Sequence, residues 1–241
     1  MATSGTAGDP HPGERHAGGI SGHLNALRAG VLGANDGIVS VAGLVAGVAG
    51  ATTDRAAIVT AGVAGLVAGA LSMGGGEYVS VSTQRDTELA LLAKEKEELA
   101  DLPGEELDEL TGLYRAKGLS DALARQVAVE LSARDPLAAH ADAELGIDPD
   151  ALTRPWQAAW VSMSAFSAGA LLPLAVVLLT PSAARVPVCF VAVALALAIT
   201  GSVSARLGGA PRRPAILRNV GVGALSMAVT YGVGLAVGGI W

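Results

Sequence analysis

Charge is scarce in this chain. Only 16% of its 241 residues are Asp, Glu, Lys or Arg, against 51% hydrophobic ones. A soluble domain of that composition would lack the polar surface to stay in water. Cysteine is scarcer still: the single Cys189 lies in an apolar run and has no partner for an internal disulfide, which excludes a cross-linked scaffold. The first residues, Met1 to Gly22, are rich in Gly, Pro, His and Ser and lack an apolar core. They predict a disordered tail over 1–23 rather than a cleaved signal peptide.

What is abundant is glycine, at 32 positions mostly within apolar runs. Small residues let membrane helices pack closely. A spanning helix needs ~20 mostly apolar residues, and five stretches qualify, about 29–53, 56–82, 156–180, 186–205 and 217–240. The last three carry almost no charge. Between the second and third, residues 83–154 hold 17 acidic against 8 basic side chains. The pattern predicts an all-α membrane protein of five transmembrane helices, with a small cytosolic helical domain inserted between the second and third. The segments are the tail 1–23, helices one and two in 24–82, the acidic domain 83–154, and helices three to five in 155–241.

Orientation follows from arginine. Arg55 and Arg185 stand alone in the 54–55 and 181–185 loops, whereas the 206–218 loop has Arg206, Arg212, Arg213 and Arg218. Positive-inside reasoning puts that loop, the N-terminus and the acidic domain in the cytoplasm, with Trp241 on the far side.

Two acidic residues interrupt the apolar runs. Asp36 sits in Asn35-Asp36-Gly37, and Glu77 in Ser72-Met73-Gly74-Gly75-Gly76-Glu77-Tyr78. A carboxylate at bilayer depth is costly unless neutralised, so it marks an ion or proton pathway by default. Met73 offers a thioether nearby and Asn35 an amide oxygen. Plainer roles are open to each: Asp36 capping a broken helix, Met73 filling the core, Glu77 near the membrane surface, Asn35 satisfying an unwound turn. Gly43/Gly47 and Gly65/Gly69, four apart, read as helix contacts, and Trp156, Trp160 and Trp241 as interfacial anchors. Gly69-Ala70-Leu71-Ser72-Met73 recurs as Gly223-Ala224-Leu225-Ser226-Met227. This is either an inverted repeat or chance in a chain built largely of such residues.

The acidic stretch reads as four helices. The first continues the second span over 83–99 with a Leu89, Leu92, Leu99 stripe, and the second covers 105–117 and ends at Gly118. A third runs from Ser120 with Leu123, Val127 and Leu131, and a short fourth covers 136–145. Glu95/Glu98 and Glu106/Glu109 are three apart and share a helix face on either side of the Pro103-Gly104 break. Glu144 and His140 are one turn apart. Such a set suits a hard divalent cation, or iron with imidazole. The competing account is a solvated acidic face partly neutralised by Lys94 and Lys96. His11, His16 and His23 are too scattered for a site. A di-iron oxidase would need Glu-x-x-His pairs on two helices, and the stretch has none, so no enzyme is expected.

Taken in order, the Asp-Gly motif, the Ser-Met-Gly motif and Glu144-Leu145-Gly146 resemble the vacuolar iron transporter family from about Leu24 to Trp241. The resemblance implies a homodimer of five-span protomers without a prosthetic group. It would move Fe2+, and often Mn2+, out of the cytosol by proton antiport. By position, Asp36 and Met73 would line the pathway at the dimer interface, with Glu77 and Asn35 as further pathway candidates. Glu95, Glu98, Glu106, Glu109 and Glu144 would bind metal in the cytosol. His140 and Ala141 stand where the plant-type domain has two methionines, so His140 is a candidate replacement ligand. The family variant with a ferritin-like domain before the first span is not expected here. The expected partners are a second copy, the lipid membrane and divalent ions, Co2+ and Zn2+ included, but no nucleic acid. The expected location is the plasma membrane. A membrane-anchored metal buffer or sensor is the alternative.

Overall fold

The computed structural model describes residues 17–240, with side chains from Ala29 onward. The expected tail up to residue 16, with His11 and His16, and the Trp241 anchor lie outside the described residues, as does the side chain of His23. Among the described residues there is no strand. The helices are α1 (Ala17–Ala51), α2 (Arg55–Asp101), α3 (Pro103–Ala116), α4 (Asp121–Arg134), α5 (Pro136–His140), α6 (Pro155–Leu179), α7 (Ser182–Leu207) and α8 (Arg212–Gly238). A π-helical turn, Ala141–Leu145, follows α5 directly. Five of the helices, α1, α2, α6, α7 and α8, are long and apolar enough to cross a membrane. The chain divides into two compact units, Thr83–Thr153 and Asn25–Ser82 with the chain from Arg154 onward. The 47-residue α2 contributes to both.

In the membrane unit α1 is the most enclosed span. Val41 and Val45 pack with Ile58, Ala70, Phe166, Ala170, Leu174 and Val177 of α2 and α6. Ile38, Ala42 and Ala46 pack with Cys189, Val193 and Leu197 of α7 and Met227 of α8. One helix thus feeds two cores because its apolar residues cover two adjacent faces. Lipid gives little hydrophobic drive for helices to associate, so contact depends on close backbone approach. At the α1–α6 crossing a Cβ on Gly37 would strike the carbonyl of Phe166, and one on Gly169 the carbonyl of Ala34. Gly234 meets the Gly47 carbonyl in the same way where α8 crosses α1. The two halves of the internal echo behave alike locally: Gly69 admits the Phe166 ring and Gly223 admits Leu197. Outward faces carry exposed Leu71, Leu171, Leu195, Ile199 and Leu225, a surface that suits lipid and not water. Trp156 and Trp160 are exposed on the first turns of α6, and the Trp156 ring lies 4.6 Å from that of Tyr78.

The other unit packs α3, α4 and α5 around Leu110, Ala128 and Ala139. Its ends are tied where Thr153 donates from its backbone N–H and its hydroxyl to Glu88, at 3.3 and 3.2 Å. Asp135 caps α5 by accepting from the Ala138 N–H at 3.0 Å, a favoured start beside Pro136. Gly118, at φ +100, makes the turn between α3 and α4, as the sequence predicts.

Three expectations need correction. Arg185 is not a loop residue: α7 starts at Ser182, and Arg185 is buried within its first turns. Arg206 belongs to the last turn of α7, and Arg212, Arg213 and Arg218 belong to α8 rather than to a loop, because α8 begins five residues before the apolar run does. On α4, Leu123 and Leu131 are exposed, and the packed residues are Ala124 and Ala128. The short alanines let α4 approach α3 closely, and hydropathy alone ranks leucine above them.

Gly37→Val should lower stability by about 3 kcal/mol, because the new side chain meets backbone that cannot yield. Gly75→Ala, where a Cβ meets nothing within 4 Å, should raise it by up to about 1 kcal/mol. Thermal unfolding of both variants in one detergent checks this, and equal effects would remove the role given to Gly37.

Candidate metal centre and membrane cavity

Four of the six candidate ligands in the acidic unit converge. His140, the last residue of α5, is fully buried. Its Nδ1 lies 2.9 Å from Glu95 Oε1 on α2, 3.6 Å from Glu106 Oε2 on α3 and 4.0 Å from Glu144 Oε2 on the π-helical turn. The closest pair is not a hydrogen bond. Glu95 Oε1 and both imidazole nitrogens are buried without a hydrogen-bond partner. Polar atoms are rarely left so when buried. Two atoms 2.9 Å apart with no hydrogen bond between them are close enough to share one divalent cation, whose donors sit at about 2.1 Å from it. Donor atoms of Glu95, His140 and Glu144 all lie within 4.8 Å of one another.

Local structure explains the convergence. Glu95 follows the buried Leu92 by three residues, on the same face of α2. Glu106 is in the first turn of α3, where the helix dipole favours an anion. The π-helical turn widens the helix right after His140 and changes where Glu144 falls. Such bulges gather at functional sites, but nothing in the sequence announces this one. Glu98 instead pairs with Lys94 at 2.8 Å, and Glu109 is exposed.

Burial first, then the charges of Glu144, Glu106, Glu98 and Glu109, pushes the Glu95 carboxyl up to about 7. Burial first, then Glu109, also raises Glu106, and His140 opposes that rise. Glu98 and Glu109 therefore act on the site by field without lining it. A cation bound here would act on both features at once. It would remove the carboxylate repulsion and satisfy the orphaned atoms together.

The membrane unit holds a cavity of about 190 Å³ lined by Asp36, Ser40, Val41, Leu44, Gly65, Gly69, Ser72, Met73 and Phe166. Asp36 and Met73 thus share one cavity, from α1 and α2. The Ser40 hydroxyl, one turn on, donates to the Asp36 carboxylate. Gly65 and Gly69, read from sequence as packing only, also line the space. Ser40 and Ser72 went unnoticed in the sequence, although Ser72 belongs to the Ser-Met-Gly motif. Asn35 is not part of the lining; its Oδ1 accepts from the Thr200 hydroxyl at 3.4 Å on α7. Glu77 is half-buried and outside the lining.

A model of the VIT family matches residues 27–235. The chain is 44% identical over 229 residues to "Vacuolar iron transporter" of Acanthamoeba castellanii, covering 92% of this chain and 82% of that protein. It is 39% identical over 230 residues to "Vacuolar iron transporter homolog 1" of Oryza sativa subsp. japonica, covering 94% and 80%. With "Vacuolar iron transporter homolog 2" of Arabidopsis thaliana it shares 35% over 213 residues, covering 88% and 84%.

Because its pKa is raised above the unfolded value of 4.5, the Glu95 carboxyl favours the folded chain at acid pH, and that contribution is lost as pH rises through about 7. The metal-free protein should therefore melt lower at about pH 8 than at about pH 5.5. Fe2+ or Mn2+ should restore stability at the higher pH and do little at the lower, where protons compete. Glu95→Gln should flatten both responses, and His140→Ala should weaken the response to Fe2+ more than to Mn2+. Wild-type metal response in Glu95→Gln protein would return the cluster to a structural role.

Proposed function

The chain belongs to the VIT family, and on that footing we propose that it exports divalent iron, and manganese with it, from the cytosol by exchange for protons. Metal transport across a membrane, not enzymatic chemistry, is the work of this family. The observation that carries the reading is the shared cavity of Asp36 and Met73. Its donors are one carboxylate, one thioether and the hydroxyls of Ser40 and Ser72, a mixed set that suits Fe2+ and also admits Mn2+. An arriving cation displaces the carboxyl proton of Asp36, and the metal leaves when a proton returns to the same oxygen. Glu95, Glu106, His140 and Glu144 gather metal on the cytosolic side, with Glu98 and Glu109 adding field. In this orientation the arginines around the α7–α8 turn face the cytosol.

We further propose a homodimer with α1 at the two-fold contact. In one protomer Leu32, Ser40 and Leu44 are exposed, and with Asp36 they form a stripe at four-residue spacing. A second copy laid on that stripe would enclose the carboxylate, which is expensive to leave facing lipid.

Asp36→Asn keeps size but cannot titrate. Flux of Fe2+ and Mn2+ into sealed proteoliposomes under a pH gradient should collapse by at least about tenfold, while the acidic unit still loads metal. Wild-type flux would remove Asp36 from the mechanism. Metal loading without flux in the wild type would favour a membrane-anchored metal buffer instead.

The native Cys189 is buried, so single cysteines at Leu32 and Leu44 can be crosslinked without interference. Both should join protomers, and crosslinking only from α7 or α8 positions would overturn the α1 contact.

A further inference from the structure

From Pro155 to its end the chain has five arginines and not one Asp or Glu. Four of them, Arg206, Arg212, Arg213 and Arg218, are exposed around the turn between α7 and α8, and none forms an ion pair among the described residues. Their placement is locally unfavourable. Arg212 and Arg213 are adjacent like charges in the first turn of α8, where the helix dipole also repels cations. Arg206 lies in the last turn of α7, across a connection of four residues from α8. The acidic residues of the membrane unit are Asp36, Asp54 and Glu77, on α1, the α1–α2 connection and α2, and among the described residues none of them pairs with this cluster. Beside the cluster, Leu207 and Leu217 are 51% and 73% exposed. The turn therefore joins unpaired guanidinium groups to apolar side chains at the ends of two spans.

We propose that the α7–α8 turn seats anionic phospholipids of the leaflet it borders. Guanidinium forks match phosphate oxygens bidentately. The flanking leucines contact the acyl chains, which a free phosphate lacks. A purely topological role for these arginines would be spent once the chain had inserted. The seat, in contrast, persists as a measurable lipid preference in the assembled protein.

The full chain is reconstituted in nanodiscs of equal parts phosphatidylcholine and phosphatidylglycerol. The lipids kept on release into mild detergent are counted by native mass spectrometry. Phosphatidylglycerol should be enriched, with each surface arginine contributing roughly fivefold. The double variant Arg212→Gln/Arg213→Gln should lose about tenfold or more of that enrichment, whereas Arg55→Gln at the opposite end of α2 should keep it. High salt should weaken it in the wild type, which keeps the test open if the double variant folds poorly. Glycerol phosphate should not displace the lipid. No enrichment in the wild type, wild-type enrichment in the double variant, or displacement by glycerol phosphate would overturn the proposal.

Discussion

Phe166 meets two glycines at once. Its carbonyl lies where a Cβ of Gly37 would be, and its ring lies where a Cβ of Gly69 would be. The first contact brings α1 and α6 together backbone to backbone, and the second lets α2 close over the ring. Because lipid does not squeeze apolar helices together as water does, these steric fits do the positioning. The cavity follows from them. Phe166 forms one wall, α1 supplies Asp36 and Ser40, and α2 supplies Ser72 and Met73. A side chain at either glycine would push the helices apart and spread the donors.

The acidic unit solves a different problem. A buried charge is costly unless something compensates it, yet Glu95 and Glu106 are buried beside a histidine that hydrogen-bonds to neither. In the membrane cavity the Asp36 carboxylate already has a hydroxyl donor. On the proposed reading, the first arrangement would gain by taking up a cation, while in the second the Ser40 hydroxyl would orient the Asp36 carboxyl for its exchange of proton and metal. Tight capture and ready release are the two tasks a transporter has to separate.

Much of this was legible in the sequence because both solvents write strong patterns. Five apolar runs predict the five spans, and the ends disagree by a few residues where arginines and small polar residues extend α7 and α8. Asp36 stood out because a carboxylate in such a run is rare, whereas Met73, an ordinary core filler by itself, was raised only by the family motif. The gathering of Glu95 and Glu106 with His140 was only partly visible. Spacing put Glu95 with Glu98 and Glu106 with Glu109, but only one of each pair turns inward, since helix periodicity fixes a face and not which end of it is buried. The π-helical turn leaves no mark in composition. Buried Arg185 was missed because an arginine beside Pro181 and Ser182 reads as a loop residue. Ala124 and Ala128 were passed over since close approach, rather than hydropathy, decides which face of α4 is packed.

Among the described residues Asp36 is the sole carboxylate lining its cavity, and a divalent ion carries two charges. In the proposed exchange, one proton given up by that carboxylate would balance half of them. Each cation that crosses in exchange for a single Asp36 proton therefore carries one net positive charge through the membrane's electric field. That charge is worth about 2.3 kcal/mol per 100 mV, so a cycle of this kind runs on voltage as well as on acidity, and a membrane positive on the receiving side would hold it back.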